Sequence, residues 1–479
     1  MRNRLIVAGV LTLSAALAAQ QAPDRSHPPQ PGPPAELHLP TIQKQTLSNG
    51  LPVWIVELHK VPVAQMNLVS FSGTANDPPG KYGLASLTAA MLEEGAGSRS
   101  ALELADAIDF LGADLGATTS SDASAVRLHV PAARLADALP LMADAALRPT
   151  FPKDELERQR QERLTTILQS RDDPPTIASL AFSRVLYGKG HRYGTAQMGT
   201  AETLKSLTTD DLRAYYPSMF RPENATLLAV GDIKADTLMP LLEKSFGGWK
   251  ATGKAALEKL PPTEERTTRQ VFLVDKPGAP QSQIRIGSIG VPRSTPDYFP
   301  LIVMNTILGG SFTSRLNNNL REVHGYSYGA GSGFDMRLGA GPFSASAGVQ
   351  TDKTAEALKE FFNELNGILK PVPAEELARA KNYVSLRYPS AFEATSDISR
   401  RLEDALVYHL PDDYFSTYVK NIQAVTAADV QRVAQKYIHP NRVAVLVVGD
   451  LKTIEPGIRA LNLGPVTVMS IDEVFGPKP

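Results

Sequence analysis

The chain contains one passage twice, and this limits its fold more than any other feature. Residues 207–234 read LTTDDLRAYYPSMFRPENATLLAVGDIK, and residues 425–452 read VTAADVQRVAQKYIHPNRVAVLVVGDLK. At a constant offset of 218, Thr208 aligns with Thr426, Asp211 with Asp429, Pro222 with Pro440, and Gly231-Asp232 with Gly449-Asp450. In each copy a threonine stands where a helix N-cap belongs, with an acidic residue three positions later in the first turn. An amphipathic helix follows, then a proline turn. The apolar runs Ala225–Val230 and Val443–Val448 then suit buried strands ending at Gly-Asp. Matched caps and strand ends at one offset indicate a duplication.

With 479 residues, each half is long enough to bury its own core. Strand-like alternation opens both halves, at Val53–Val56 and Ala64–Phe71 and again at Val271–Val274 and Gln283–Ile289. Helical patterns follow, among them Ala101–Leu111, Leu135–Leu147 and Asp154–Gln169. The predicted fold class is therefore α+β, in two homologous halves, each a mixed β-sheet packed with helices. The halves are expected at 41–255 and 265–470, joined through the Gly/Lys/Pro-rich stretch Gly253–Arg266.

The N-terminus reads as an export signal over residues 1–19. Arg2 and Arg4 are followed by an apolar stretch, Leu5–Leu17, too short to span a bilayer, and Ala16-Leu17-Ala18 offers a small-x-small cleavage site. Residues 20–40 hold seven prolines and read as an extended linker, with His27 and His38 solvated in it. Without Arg2 and Arg4 the chain carries 47 basic against 50 acidic residues. That balance, and charge pairs such as Arg158 and Arg160 that read as a solvated helix face, give no nucleic-acid footprint. No cysteine is present, which excludes a lipid-modified cysteine, disulfides and thiolate metal ligands. An exported, cysteine-free chain is expected in the periplasm, with no membrane attachment after signal cleavage.

A further set of motifs recurs in order: Thr46–Val53, Gly73-Thr74-Ala75-Asn76-Asp77, Gly83-Leu84-Ala85 through Gly95, Asp172-Asp173-Pro174, Leu186-Tyr187-Gly188 and Gly199-Thr200-Ala201-Glu202. In this order and spacing the chain resembles the pitrilysin/insulinase family, the inverzincins, which includes mitochondrial processing peptidase. The resemblance covers nearly everything after residue 40. It implies two homologous α+β halves forming one half of a clamshell chamber. It also implies an H-x-x-E-H helix whose two His bind zinc while the Glu activates water. Here that motif reads Ser86-Leu87-Thr88-Ala89-Ala90 on an expected helix Leu84–Leu92, and the family's third ligand, a Glu on a later helix, falls at Thr166. Ser86, Ala89, Ala90 and Thr166 are thus degenerate zinc-motif positions, and no metal ligand is expected in this chain.

The eight histidines do not rebuild a site. No two lie within five residues, so no helical i,i+4 pair exists, and His191 in Gly190-His191-Arg192-Tyr193 reads as structural. The second half keeps what the first has lost. The family pattern of an Arg followed seven residues later by a Tyr is matched by Arg321 and Tyr328, led by Gly309-Gly310-Ser311-Phe312. The resemblance implies that this pair reaches a zinc site from across the chamber, with Gly309, Gly310 and Ser311 at the substrate. A guanidinium offers a donor fork to a carbonyl, and a phenol can donate to an oxyanion. Read without the family, Arg321 is a helix-surface residue and Tyr328 packs at a strand start. The glycines of Gly329–Phe334 serve either a peptide or a bend in the strand. No G-x-S-x-G elbow and no Walker-type loop occur.

The functional expectation is a zinc-free subunit of a heteromeric periplasmic metallopeptidase, inactive alone. A homologous partner with an intact H-x-x-E-H supplies the zinc, and peptide substrates bind as an added strand. The alternative is a non-catalytic scaffold or peptide-binding protein of the same fold. An independent hydrolase with a new site is a third reading.

Overall fold

Two six-stranded sheets, one in each half, organise the structure, a computed structural model that describes Gly32 and residues 41–251 and 259–479. The expectations for the export segment, for His27, His38 and the rest of the linker bar Gly32, and for part of the inter-half join lie outside these residues.

The first sheet comprises β1 (Gln43–Thr46), β2 (Pro52–Glu57), β3 (Val63–Ser70), β4 (Asp114–Thr119), β5 (Ser124–Pro131) and β6 (Ala225–Gly231), in the order β1-β2-β6-β3-β5-β4. The second comprises β7 (Gln270–Asp275), β8 (Gln281–Ile289), β9 (Ser327–Phe334), β10 (Pro342–Gln350), β11 (Ala444–Gly449) and β12 (Val466–Met469), ordered β12-β7-β11-β8-β10-β9. Strand openings Pro52 and Gln270, Val63 and Gln281, and Ser124 and Pro342 are each separated by 218 residues. Both sheets are mixed: β2 runs parallel to β6 and β7 to β11, while the remaining inner pairs are antiparallel. The duplication fails only at one edge. There β1 pairs antiparallel with β2, whereas β12 arrives from the C-terminus and pairs parallel with β7.

The matched caps form as their sequence demands. Thr208 accepts the Asp211 amide at 3.2 Å and Thr426 that of Asp429 at 3.1 Å, and each aspartate returns to its threonine amide. The strands that follow, β6 and β11, are buried throughout because both faces are covered.

Five helices position the site: α1 (Leu84–Ala90), α2 (Lys153–Ser170), α3 (Pro174–Tyr187), α4 (Tyr298–Leu308) and α5 (Thr395–Val407). Two of them cross over. α3, from the first half, packs on β8 and β11 of the second sheet, and α5, from the second half, packs on β3 and β6 of the first. The core records the exchange. Leu227 and Ala229 of β6 face the first half's helices, whereas Leu228 and Val230 join the cluster that holds Ile398 and Leu402 of α5. Likewise Leu446 and Val448 of β11 pack in the cluster of Ile177 and Ala181 from α3, while Val445 and Val447 face their own half. Alternate side chains of one strand thus bury against different halves. At about 1.5–3 kcal/mol for each large apolar side chain buried, neither half keeps its central strands dry alone. Both sheets lie in one unit spanning Glu36–Pro479.

One charged residue departs from its sequence reading. Arg158 is half exposed and bonds Glu155 as a surface residue would, but Arg160 is only 13% exposed. Its guanidinium donates to the carbonyls of Leu204 and Leu207, which joins α2 to the segment after α3.

Candidate functional site

The degenerate helix α1 is built as a helix that still had work to do. Gly83 precedes it with φ +93°, and a Cβ there would lie 2.5 Å from the Met198 carbonyl, so only glycine fits. Asp77, 2% exposed, caps the helix by accepting the amides of Gly83 at 2.7 Å and Ala85 at 2.8 Å, while Arg192 donates to the Asp77 carbonyl. These are residues of the Gly73–Asp77 and Gly83–Ala85 motifs. Burial dominates at Asp77 and pushes its carboxyl up to about 7, against the two amide bonds and the Arg192 charge that pull it down.

A carboxyl raised on folding stabilises the protein below its unfolded value, and that contribution is lost as pH rises through the folded value. Asp77→Asn removes the titration. The stability of wild type relative to this variant should therefore fall by up to about 4 kcal/mol between pH 4 and pH 8. Urea denaturation of both proteins across that range measures it; a constant difference would reject the assignment.

Ser86 and Ala90 lie one turn apart on the half-buried face of α1, and Ala89 is buried. The space in front of Ser86 belongs to Arg163 of α2. Its guanidinium donates to the Ser86 hydroxyl and to the Ser86 carbonyl, both at 3.0 Å. Burial lowers the Arg163 pKa to about 10, partly offset by Glu162, and no carboxylate pairs with it among the described residues. Thr166, three residues further on, turns its hydroxyl back to the Glu162 carbonyl at 3.0 Å. The donor set is therefore one hydroxyl, two methyl groups and a back-bonded threonine, with a fixed cation against the hydroxyl. These residues do not fit a zinc ion. Among the described residues no group of three His, Asp or Glu is placed to hold a metal. His191 is buried, stacks on Tyr187 and bonds the Pro261 carbonyl, a structural role.

The second half brings its expected residues together. Gly309, Gly310, Ser311, Arg321 and Tyr328 line one open cleft of about 780 Å³ on the second sheet. Arg321 sits in a π-helix, Asn318–Val323, the wide-turn geometry found often at functional sites. Its guanidinium lies 4.7 Å from the Phe312 ring and 5.0 Å from the Tyr328 ring, with Glu322 at 3.2 Å. Tyr328 is 86% exposed. Two features aim it outward. Ser327 bonds both backbone groups of Gly329, and the pairing with β10 shifts register between Ala347 and Val349. Tyr328 thus opens a strand, as its sequence context indicates, but it does not pack there.

The glycine loop is held against the edge strand. A Cβ on Gly309 would lie 2.3 Å from the Ser332 amide, which instead donates to the Gly309 carbonyl at 3.1 Å. Asn317 accepts the Ala330 amide at 3.1 Å, and Asn305 donates to the Ser332 carbonyl at 3.1 Å. The outward row of β9 is therefore occupied at Ala330 and Ser332, and an added strand has no free edge there. The glycines of Gly329–Phe334 serve the strand and the floor of the cleft. The first half's edge strand β4 is capped too, by Glu93 at the Ala117 amide.

Two family models divide the chain as the sheets do. "Insulinase (Peptidase family M16)" matches residues 53–192, and "Peptidase M16 inactive domain" matches residues 206–384. The chain belongs to the M16 peptidase family. An uncharacterised zinc protease of Bacillus subtilis is 27% identical over 370 residues, 76% of this chain and 88% of the relative. One from Streptomyces coelicolor is 24% identical over 86% of this chain and 90% of its own length. Among solved structures, an M16 inactive domain from Pseudomonas fluorescens has a TM-score of 0.79 at 26% identity, covering 85% of this chain and 98% of the other. A protease from Helicobacter pylori, at TM-score 0.79 and 23% identity over 86% of this chain and all of its own, shares the fold. Within this M16 frame, Arg163 and Arg285 of β8 escaped the sequence reading. Arg163 had a signal, since a cation one turn before a lost ligand position faces the same way.

Proposed function

We propose that this chain is the zinc-free subunit of a two-chain periplasmic metallopeptidase. A homologous partner carries the intact H-x-x-E-H and its zinc. This chain contributes Arg321 to hold a substrate carbonyl and Tyr328 to donate to the oxyanion that forms on it. One observation carries the reading: the metal position of the first half is filled by Arg163, whereas Tyr328 of the second stands 86% exposed beside Arg321 with nothing to serve in its own chain. Phe312 and Val323, 59% and 67% exposed, flank the pair and suit a surface that another chain covers. With β9 occupied at its outer row, the peptide main chain is read as lying along the Gly309–Ser311 loop.

The test is reconstitution. The purified chain should cleave no unfolded peptide; mixed with a homologous H-x-x-E-H chain from the same cell it should form a complex whose hydrolysis a chelator abolishes. Chelator-insensitive hydrolysis by the single chain overturns the reading. So does a complex no more active than the partner alone, the result expected of a scaffold.

A further inference from the structure

The duplicated architecture supplies its own control for a residue that no motif singles out. Arg285 lies on β8, 218 residues after Asn67 of β3, and the two occupy matching places on the two sheets. In the first half this place is neutralised. Glu403 of α5 accepts Arg127 at 3.0 Å, pairs with it again through its second oxygen, and accepts Asn67 at 2.6 Å. On α3, Ile177 and Tyr187 stand 221 residues before Ile398 and Tyr408 of the second half, so Phe182 takes the place of Glu403. The counter-charge present in one half is a phenyl ring in the other.

Arg285 consequently makes no ion pair or hydrogen bond with any described residue, though it is half-buried and burial lowers its pKa. It lies on the floor of the cleft that holds Arg321 and Tyr328. Its register partners there are Ser346 on β10 and, one strand further, Gly331 on β9. At about 4.8 Å between strands, Arg285 is about 10 Å across the sheet from that edge. Nothing larger than a serine stands on that row. The cleft is lined by two arginines and by no carboxylate, in a chain whose net charge is −1. An unpaired, partly desolvated guanidinium is a group short of its acceptors.

We propose that Arg285 is an anion-recognition residue that selects peptides placing a carboxylate over the floor of the second sheet. This rests on peptide binding in the cleft, as proposed above. The carboxylate comes from an acidic side chain or from a free C-terminus, and a planar guanidinium can take either through paired hydrogen bonds.

Three fluorescent peptides of one sequence separate the cases: central Glu with an amidated end, central Gln with a free end, and central Gln with an amidated end. Binding is followed by anisotropy for the wild-type chain, Arg285→Met and Arg285→Lys. The wild type should bind at least one carboxylate peptide about tenfold or more tighter than the neutral one, the scale of a charge-assisted bond. The peptide preferred identifies the source. Arg285→Met should bring that affinity down to the neutral value while neutral binding is unchanged, and Arg285→Lys should keep part of the preference. If the methionine variant does not fold, Arg285→Gln carries the same comparison. Equal binding of all three peptides by the wild type, or a preference that survives loss of the guanidinium, overturns the role of Arg285 and leaves the cleft reading intact. No binding of any peptide by the wild type overturns both.

Discussion

Tyr328→Phe in the reconstituted two-chain enzyme is expected to lower kcat by about 10²–10³-fold with little change in KM, the loss that follows removal of one oxyanion donor. The substitution removes a hydroxyl and nothing else. The ring stays available to the Arg321 guanidinium at 5.0 Å, and a side chain 86% exposed contributes little to folding. An effect on turnover therefore reports the hydroxyl's part in the reaction. The neighbouring arginine should behave differently. Arg321→Ala removes a donor fork that meets the substrate before the oxyanion forms, so its loss should raise KM as well as lower kcat. Steady-state kinetics of the two variants, each paired with the same partner chain, checks the split. Unchanged kcat in Tyr328→Phe would reject the phenol as a donor and leave the tyrosine as part of the contact surface.

The contrast between what the sequence disclosed and what it hid follows from the range of each interaction. Caps, strand ends and the Gly-Asp turns are local, and the 218-residue offset repeats them, so Thr208, Thr426, β6 and β11 were readable in advance. The lost ligands at Ser86, Ala90 and Thr166 were equally readable, because a helix turn fixes which residues share a face. The crossing of α3 and α5 was not. An amphipathic helix shows that it has an apolar face, but not which of two similar sheets that face will meet. The same blindness covers Arg163, whose role depends on α1 and α2 meeting at Ser86, and Arg285, whose isolation depends on Phe182 standing where Glu403 stands in the other half. Tyr328 fell between the two. Its place at the head of β9 was legible, but its outward aim is set by the register shift near Gly348 on a different strand.

Restoring the four lost groups should not restore the metal. A variant carrying Ser86→His, Ala89→Glu, Ala90→His and Thr166→Glu recovers the ligand pattern in sequence, yet Arg163 remains within 3.0 Å of residue 86. A guanidinium about 4 Å from a divalent cation at an effective dielectric of about 20 opposes binding by several kcal/mol. Arg163 is also half-buried on α2, held by two bonds to one residue, so leaving the site exposes α1 backbone and an apolar helix contact together. The fourfold variant should therefore bind zinc at least about 100-fold more weakly than the fivefold variant that adds Arg163→Ala. Competition against a chromogenic chelator measures both constants. The comparison is internal, since both variants carry identical ligands and differ only in the cation. Stoichiometric zinc in the fourfold variant, with no gain on removing Arg163, would show that the arginine yields its place freely. In that case the loss of metal in this chain would lie in its ligands alone. The expected result assigns it twice over, to ligands deleted and to a positive charge installed where the metal's charge would be.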